Sequence, residues 1–183
     1  MPEDMEVART IQKMFQDDDP AVLELVYRHF GRRLYGYLIS MLRSPSDAEE
    51  VLSETFMMVA RKREQIGKAD NLRVYLFAMS RNLAIEMFRR RTAQNEKLEG
   101  YAEYLEVSQG CEGKWSKEEL DGVRKAVVEL PEEQREVLVL KIFEEMTFEE
   151  IAELLRISQD TAASRYRYAL EKLRKQLKGY GYE

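Results

Sequence analysis

The sequence is poor in the residues that usually build an active site or a covalent cross-link. Its 183 residues include one histidine, His29, and one cysteine, Cys111. A single cysteine excludes an internal disulfide and fits a reducing compartment. No glycine-rich phosphate loop occurs either. We therefore predict that the protein is not an enzyme and needs no cofactor or metal ion.

Long apolar runs and helix-breaking residues are scarce as well. No apolar run reaches membrane-spanning length and no basic-then-apolar leader is present, so we expect a cytoplasmic protein without membrane insertion. Only four prolines and nine glycines interrupt the chain, while 44% of the residues are hydrophobic and 34% are charged. This composition predicts a soluble and mostly helical fold.

Positive charge is concentrated in two parts of a chain whose net charge is −5. Residues 61–91 contain nine Lys/Arg and three Asp/Glu, and residues 156–178 contain seven and two. Residues 92–121, in contrast, contain three Lys/Arg and eight Asp/Glu. Two basic regions separated by an acidic one favour contact with nucleic acid at two places, although ordinary solvated helix faces would give the same pattern.

Helical spacing of apolar residues predicts three helices in the N-terminal half, over about residues 20–41, 46–63 and 71–91. An Asp-Pro pair precedes the first, as an N-cap and a first helical residue would. Ser46 with Glu49 predicts a capping box at the start of the second. The third is apolar on more than one side, which is typical of a helix in the middle of a bundle.

Residues 92–115 lose this spacing and become polar, acidic and glycine-containing. We interpret them as a flexible acidic linker. The sequence thus predicts an all-α fold of two small helical domains, residues 1–91 and 116–183, with the linker between them.

Two short helical patterns separated by a tight turn near the C-terminus predict a helix-turn-helix. Thr147 with Glu150 predicts a capping box for the first helix, and Ser158 predicts the N-cap of the last. At 100° per residue the last helix has an apolar stripe, which includes Leu170, opposite a polar face. The residues of and beside that face are Thr161, Ser164, Arg165, Arg167 and Tyr168. Small polar residues flanked by arginines favour recognition of duplex DNA, although an exposed helix with arbitrary polar residues is the alternative.

The N-terminal basic region differs because aromatic residues are interleaved with its cations. Its candidate residues are Arg61, Lys62, Arg63, Tyr75, Phe77, Arg81, Asn82, Arg89 and Arg90. Cations that follow a backbone and rings that stack on bases are typical of single-stranded nucleic-acid binding. Burial of the rings in a helical core is the competing interpretation.

The second predicted helix begins with acidic residues, among them Asp47, Glu50 and Glu54. Acids in a first turn interact favourably with the helix dipole, which is a sufficient structural reason for them. An exposed acidic and apolar ridge is also a plausible surface for docking another protein.

Taken together, these segments resemble the sigma-70 family of bacterial transcription initiation factors, in particular its extracytoplasmic-function (ECF) group. The C-terminal resemblance lies in LPEEQREVLVLKIFEEMTFEEIAELLRIS followed by TAASR. The N-terminal resemblance lies in DAEEVLSETF followed by LRVYLFAMSRNLAIEMFRRR. The order and spacing of the segments agree with that group over about residues 20–178.

The resemblance implies partners and roles for these residues. The partners would be core RNA polymerase, promoter DNA (duplex at the −35 element, single-stranded at the −10 element) and an anti-sigma factor. The polymerase contacts would be Asp47, Glu50, Leu52, Glu54 and Phe56. The −10 contacts would be Arg61, Lys62, Arg63, Tyr75, Arg81, Asn82, Arg89 and Arg90, with the loop 65–71 holding a flipped base. The −35 contacts would be Ser158, Thr161, Ser164, Arg165, Arg167 and Tyr168.

The chain departs from the family pattern in the helix-turn-helix. Arg156 occupies the position of the turn glycine, and Ala163 and Tyr168 replace frequent basic residues. The last two favour a shifted promoter preference. The alternative to a sigma factor is a stand-alone helix-turn-helix regulator that binds duplex DNA as a dimer, which leaves the N-terminal basic region without a role.

Overall fold

The computed structural model describes residues 2–92 and 117–178, and every regular element within them is an α-helix. In chain order these are α1 (Pro2–Gln16), α2 (Val22–Leu42), α3 (Pro45–Arg61), α4 (Arg63–Gly67), α5 (Leu72–Thr92), α6 (Lys117–Val128), α7 (Glu132–Ile142), α8 (Phe148–Leu155) and α9 (Gln159–Lys178). The chain divides into two compact units, Met1–Glu99 and Gly100–Glu183. The predicted all-α fold with two helical domains is confirmed. The predicted acidic linker lies outside the described residues from residue 93 onward.

The first unit is built around α2, which packs against α3 and α5. Phe30, Leu34 and Tyr37 of α2 are fully buried, and the Tyr37 ring lies 5.3 Å from that of Phe77 on α5. Helix α5 buries apolar residues along its length, as predicted for a central helix of a bundle. Phe77 is fully buried, so for this ring burial in the core, and not base stacking, is the correct interpretation.

Two predicted helix starts differ from the observed ones. Helix α3 is capped by Ser44, whose Oγ accepts a hydrogen bond from the Asp47 amide at 3.4 Å, and Pro45 is its first residue. The predicted capping box at Ser46 is therefore wrong by two residues, because a serine before a proline offers the better start. Helix α2 begins at Val22, where the prediction placed its first residue on Pro20, and the Asp19 carboxylate accepts from the Ala21 amide at 2.9 Å.

Two helices of the first unit were not predicted. Helix α1 buries Ile11 and Phe15 against α4, and α4 itself is a five-residue helix where the prediction placed the end of α3 and a loop. Its apolar residues Val7, Ile11, Met14 and Phe15 recur at helical spacing, so the sequence does carry a signal for α1 that was overlooked. Helix α1 is stabilised by contacts with residues more than fifty positions further along the chain.

The second unit has the predicted helix-turn-helix. Thr147 and Glu150 form the full capping box of α8, with hydrogen bonds of 3.1 Å and 2.8 Å in the two directions. Arg156 ends α8 in the left-handed conformation (φ 56°), where glycine is the usual residue. Ser158 then accepts from the Thr161 amide at 3.1 Å and caps α9, as predicted. Leu130, Leu138 and Ala169 form the core between α9 and the preceding helices.

Candidate nucleic-acid and partner interfaces

Helix α9 has the two-sided character expected of a recognition helix. Ala162 and Ala169 are fully buried, and half-buried Tyr166 packs edge-on against Phe148 of α8, with ring centroids 5.6 Å apart. On the other side Arg167 and Tyr168 are exposed, the latter by 50%. Leu170, predicted to lie in the apolar stripe, is 41% exposed, because it lies about 100° around the helix from buried Ala169, at the opposite margin of the stripe.

The two arginines of α9 are held differently. The Arg165 Nη2 lies 2.6 Å from the Glu133 Oε2 at the start of α7, so this guanidinium is oriented by an ion pair. The Arg167 guanidinium lies 5.4 Å from the centroid of the Tyr168 ring, and both side chains face solvent. Arg167 and Tyr168 therefore offer a cation and a ring side by side, which suits contact with a phosphate and a base edge.

The hydroxyl groups of Ser158 and Thr161 at the start of α9 form hydrogen bonds within the helix cap. The Ser158 Oγ lies 2.7 Å from the Thr161 Oγ1 and also accepts the Thr161 amide. Ser164 is half-buried one turn further on. A helix N-terminus with exposed hydroxyls favours an anionic neighbour, because its amides and dipole present partial positive charge.

The N-terminal cations are divided between exposed and structural positions. Arg61, Arg89 and Asn82 are exposed, and Lys62 is half-buried at the junction of α3 and α4. Arg63, in contrast, donates from Nε to the Asp18 carboxylate at 2.8 Å and from Nη2 to the Asp19 carbonyl at 2.9 Å. Its guanidinium is therefore engaged within the protein.

Helix α5 carries the remaining candidates for the −10 strand. Tyr75 and Arg81 are half-buried, and the Tyr75 hydroxyl lies 3.4 Å from the Gln65 Oε1. Arg90 is exposed and pairs with Glu86 one turn earlier, and the hydrogen bond and charge of Glu86 raise the pKa of Arg90 above its ordinary value. Arginine is positively charged at any pH at which DNA binds, so the ion pair affects the orientation of this side chain and not its charge.

The residues of α3 expected to contact polymerase do not share one face. Asp47 is 2% exposed and serves the capped N-terminus of α3, so its burial removes it from any docking surface. At 100° per residue, Glu50 and Glu54 lie about 120–160° around the helix from Phe56. The negative charges of Glu50 and Glu54 add to that of Glu86 in raising the pKa of Arg90 on α5.

Leu52 and Phe56 instead line an open groove of about 740 Å³ between α2 and α3. The full lining is Tyr27, Arg28, Gly31, Arg32, Tyr35, Glu49, Leu52, Ser53 and Phe56. The Tyr27 and Phe56 rings meet edge to face at 5.0 Å, although Tyr27 is 59% exposed. The α2 side of this groove was not predicted from the sequence. The signal for it there is the recurrence of Tyr27, Gly31 and Tyr35 every four residues, beside the apolar stripe of α2.

No group of His, Cys, Asp and Glu within residues 2–92 and 117–178 is arranged to hold a metal ion. Over the same described residues, no helix combines the length and hydropathy needed to cross a membrane.

A two-unit helical protein with a helix-turn-helix and a second basic helix belongs to the class of DNA-binding transcription proteins. Comparison with known families gives the same result: Sigma-70 region 2 matches residues 26–94 and Sigma-70 region 4 matches residues 126–175.

Known proteins resemble the chain over nearly its whole length. The ECF RNA polymerase sigma factor SigW of Bacillus subtilis (strain 168) is 25% identical over 96% of this chain and 98% of its own. The ECF RNA polymerase sigma factor EcfG of Rhodopseudomonas palustris (strain TIE-1) is 27% identical over 76% of each chain. The chain belongs to the sigma-70 family, in the ECF group. It binds core RNA polymerase and directs it to specific promoters.

Solved structures share the fold. The sigma factor RpoE of Bartonella quintana, in complex with the anti-sigma factor NepR, matches with a TM-score of 0.66 and 23% identity over 80% of this chain and 90% of that one. CnrH, in complex with the cytosolic domain of CnrY, matches with a TM-score of 0.68 and 20% identity over 94% and 98%.

Proposed function

We propose that this sigma factor uses three separate surfaces, two to bind promoter DNA and one to bind polymerase. Helix α9 contacts the duplex −35 element, α5 with residues 61–71 contacts the single-stranded −10 element, and the groove between α2 and α3 docks polymerase. The observation that carries the proposal is the capped helix-turn-helix, whose last helix exposes Arg167 and Tyr168 opposite a buried alanine stripe.

At the −35 element, the exposed end of α9 enters the major groove with Ser158, Thr161 and Ser164 near base edges. Arg165 and Arg167 contact phosphates or guanine at the margins, and Tyr168 supplies an apolar surface with a hydroxyl. Hydroxyl groups bond to either base edge, whereas arginine pairs bidentately with guanine. The ion pair at Arg165 makes Arg167 the stronger phosphate contact of the two.

At the −10 element, Tyr75, Arg81 and Asn82 meet the unpaired strand, while Arg61, Lys62, Arg89 and Arg90 follow its backbone. Opening five base-pair steps costs roughly 7 kcal/mol at about 1.4 kcal/mol per step. Stacking one or two bases returns only about 1–3 kcal/mol each. The chain alone therefore does not hold DNA open, and polymerase must supply the remainder.

On the polymerase side, Leu52 and Phe56 form the apolar floor of the groove and Tyr27 its exposed edge. An aromatic residue in a groove with charged margins is typical of a binding hot spot. Glu50 and Glu54 form a separate acidic face, which we assign to a second polymerase contact.

We further propose that the chain works in the cytoplasm, has no catalytic activity of its own, and is regulated by an anti-sigma factor. The RpoE structure contains a sigma factor in complex with the anti-sigma factor NepR. An open groove with exposed rings next to arginines suits a regulator that competes with polymerase for the same surface.

The assignment of the groove as the polymerase-docking site is tested by separate alanine substitutions of two neighbouring residues of α3. Phe56→Ala removes a ring from the groove, and we expect about a thirtyfold loss of polymerase affinity, because truncation of a hot-spot residue costs about 2 kcal/mol. Met57→Ala, next to it and 53% exposed outside the groove, is the matched control and should bind normally. Glu50→Lys tests the acidic face in the same pull-down. Normal recovery of Phe56→Ala by core polymerase would refute the groove as the docking site.

A further inference from the structure

We propose that α1 positions the loop that captures the unpaired −10 base, with Gln12 and Gln16 as its positioning residues. The loop, residues 65–71, is named here the capture segment. This inference rests on the proposed contact of residues 61–71 with the single-stranded −10 element, and on the base capture that the family resemblance implies for residues 65–71. It assigns a function to a helix that belongs to none of the three surfaces.

Two glutamine side chains of α1 hold the backbone of the capture segment directly. The Gln16 Nε2 donates to the Gly67 carbonyl at 2.9 Å, and the Gln12 Nε2 donates to the Ala69 carbonyl. A short helix such as α4 leaves its last carbonyls without partners in the helix. The two amides satisfy carbonyls at and just beyond the end of α4, and so fix the path of the chain there.

Close packing accompanies these hydrogen bonds. Ile11 and Phe15 of α1 are buried, and the face between the two glutamines lies directly on Gly67. A methyl group on Gly67 would meet the Phe15 Cβ at 3.2 Å and the Gln16 Cγ at 3.4 Å. Glycine is therefore needed for this close approach, and the approach keeps the glutamines within hydrogen-bonding distance.

Arg63 fixes the other end of the same junction. It binds the Asp18 carboxylate and the Asp19 carbonyl, and its guanidinium lies 5.8 Å from the centre of the Phe15 ring. Its side chain is only 23% exposed. We therefore reassign Arg63 from DNA contact to the anchoring of α1, so that the capture segment is held before its first residue and again at Ala69.

Such anchoring lowers the cost of binding an unpaired base. A loop that is ordered before DNA arrives does not lose its conformational entropy on binding. On its far side the segment is tied to α5, because the Gln65 side chain meets the Tyr75 hydroxyl. Loss of the α1 contacts would leave the segment attached but variable in position, and fewer molecules would be ready to capture a base.

The test compares Gln12→Ala/Gln16→Ala with Lys13→Ala, an exposed residue about 160° around α1 from the buried Ile11 and Phe15. The full chain is assayed with core polymerase on a promoter selected from random templates by the wild-type holoenzyme. Each lost hydrogen bond corresponds to a factor of about 2–12, so we expect roughly tenfold less promoter opening from the double variant. Amide exchange in residues 67–71 should accelerate to a similar degree, while polymerase affinity stays within about twofold. Gln16→Glu, which keeps the shape but loses the donor, should change both readouts in the same direction.

Three outcomes would overturn the inference: unchanged exchange, normal opening despite faster exchange, or polymerase binding lost in proportion to opening. Asn82→Ala separates this inference from the proposed function, since Asn82 is a proposed strand contact outside the α1 anchor. If Asn82→Ala impairs opening and the glutamine variants do not, only the inference fails. If Asn82→Ala also opens the promoter normally, the −10 assignment fails and the inference with it.

Discussion

The ion pair between Glu133 and Arg165 gives the sharpest test of how α9 meets DNA. The two side chains are 2.6 Å apart, with the arginine 24% and the glutamate 69% exposed. An exposed pair of this kind contributes about 0.2–1 kcal/mol to stability. A DNA phosphate competes for the same guanidinium, so Glu133→Gln should cost little stability and should release Arg165 for a phosphate.

The expected change in the salt dependence of DNA affinity follows from counterion release. One added phosphate contact steepens the slope of log affinity against log salt by about 0.9 for duplex DNA. Between about 200 mM and 50 mM salt, the affinity of Glu133→Gln should therefore rise ~3.5-fold more than that of the wild type.

The assay is fluorescence anisotropy of the full chain on a random-sequence duplex over that range of salt. Glu132→Gln, one residue earlier on α7, makes the same change in net charge without touching the ion pair and is the control. Adding Arg165→Ala to Glu133→Gln should abolish the extra slope, because the released cation is then absent. Equal slopes for Glu133→Gln and Glu132→Gln would refute the reasoning, as would an extra slope that survives Arg165→Ala.

Three further predictions concern the second unit. Thr147→Ala removes the α8 cap and should lower the free energy of unfolding by about 0.5–2 kcal/mol in urea, and an unchanged midpoint would contradict the capping box. Arg156→Gly should raise that free energy by about 1 kcal/mol, because the left-handed backbone disfavours a side chain, and a loss of stability would count against strain there. The hydrogen bond and charge of Lys175 lower the pKa of Glu171 from 4.5, so their stabilising effect is present above that pH and is lost as the pH falls through the lowered value. An NMR titration of Lys175→Met should therefore return the pKa of Glu171 toward 4.5, and an unshifted value would exclude the pair as the cause.

The parts of the fold that depend on local chemistry could be predicted from the sequence. The capping box of α8 and the serine cap of α9 both involve groups within a few residues of one another. The apolar spacing of α5 was likewise enough to predict a central helix. Short-range hydrogen bonding and periodicity determine these features, and the structure confirms them.

Features that depend on distant partners could not be predicted. Helix α1 packs on residues more than fifty positions away. Its apolar residues recur at helical spacing, so its helical form could have been predicted, but the segment that it contacts could not. Arg63 and Arg165 looked like free cations because nothing in the sequence places Asp18 or Glu133 beside them. The division of α3 into a groove side and an acidic side follows from 100° per residue, yet only the structure indicates which side α2 covers.

The most direct measurement of the central claim is the affinity of the chain for its promoter with and without core RNA polymerase. We expect weak, strongly salt-dependent binding by the chain alone, and specific binding with strand opening once polymerase is present. Equal promoter affinity in the two conditions would contradict it and would favour a stand-alone helix-turn-helix regulator.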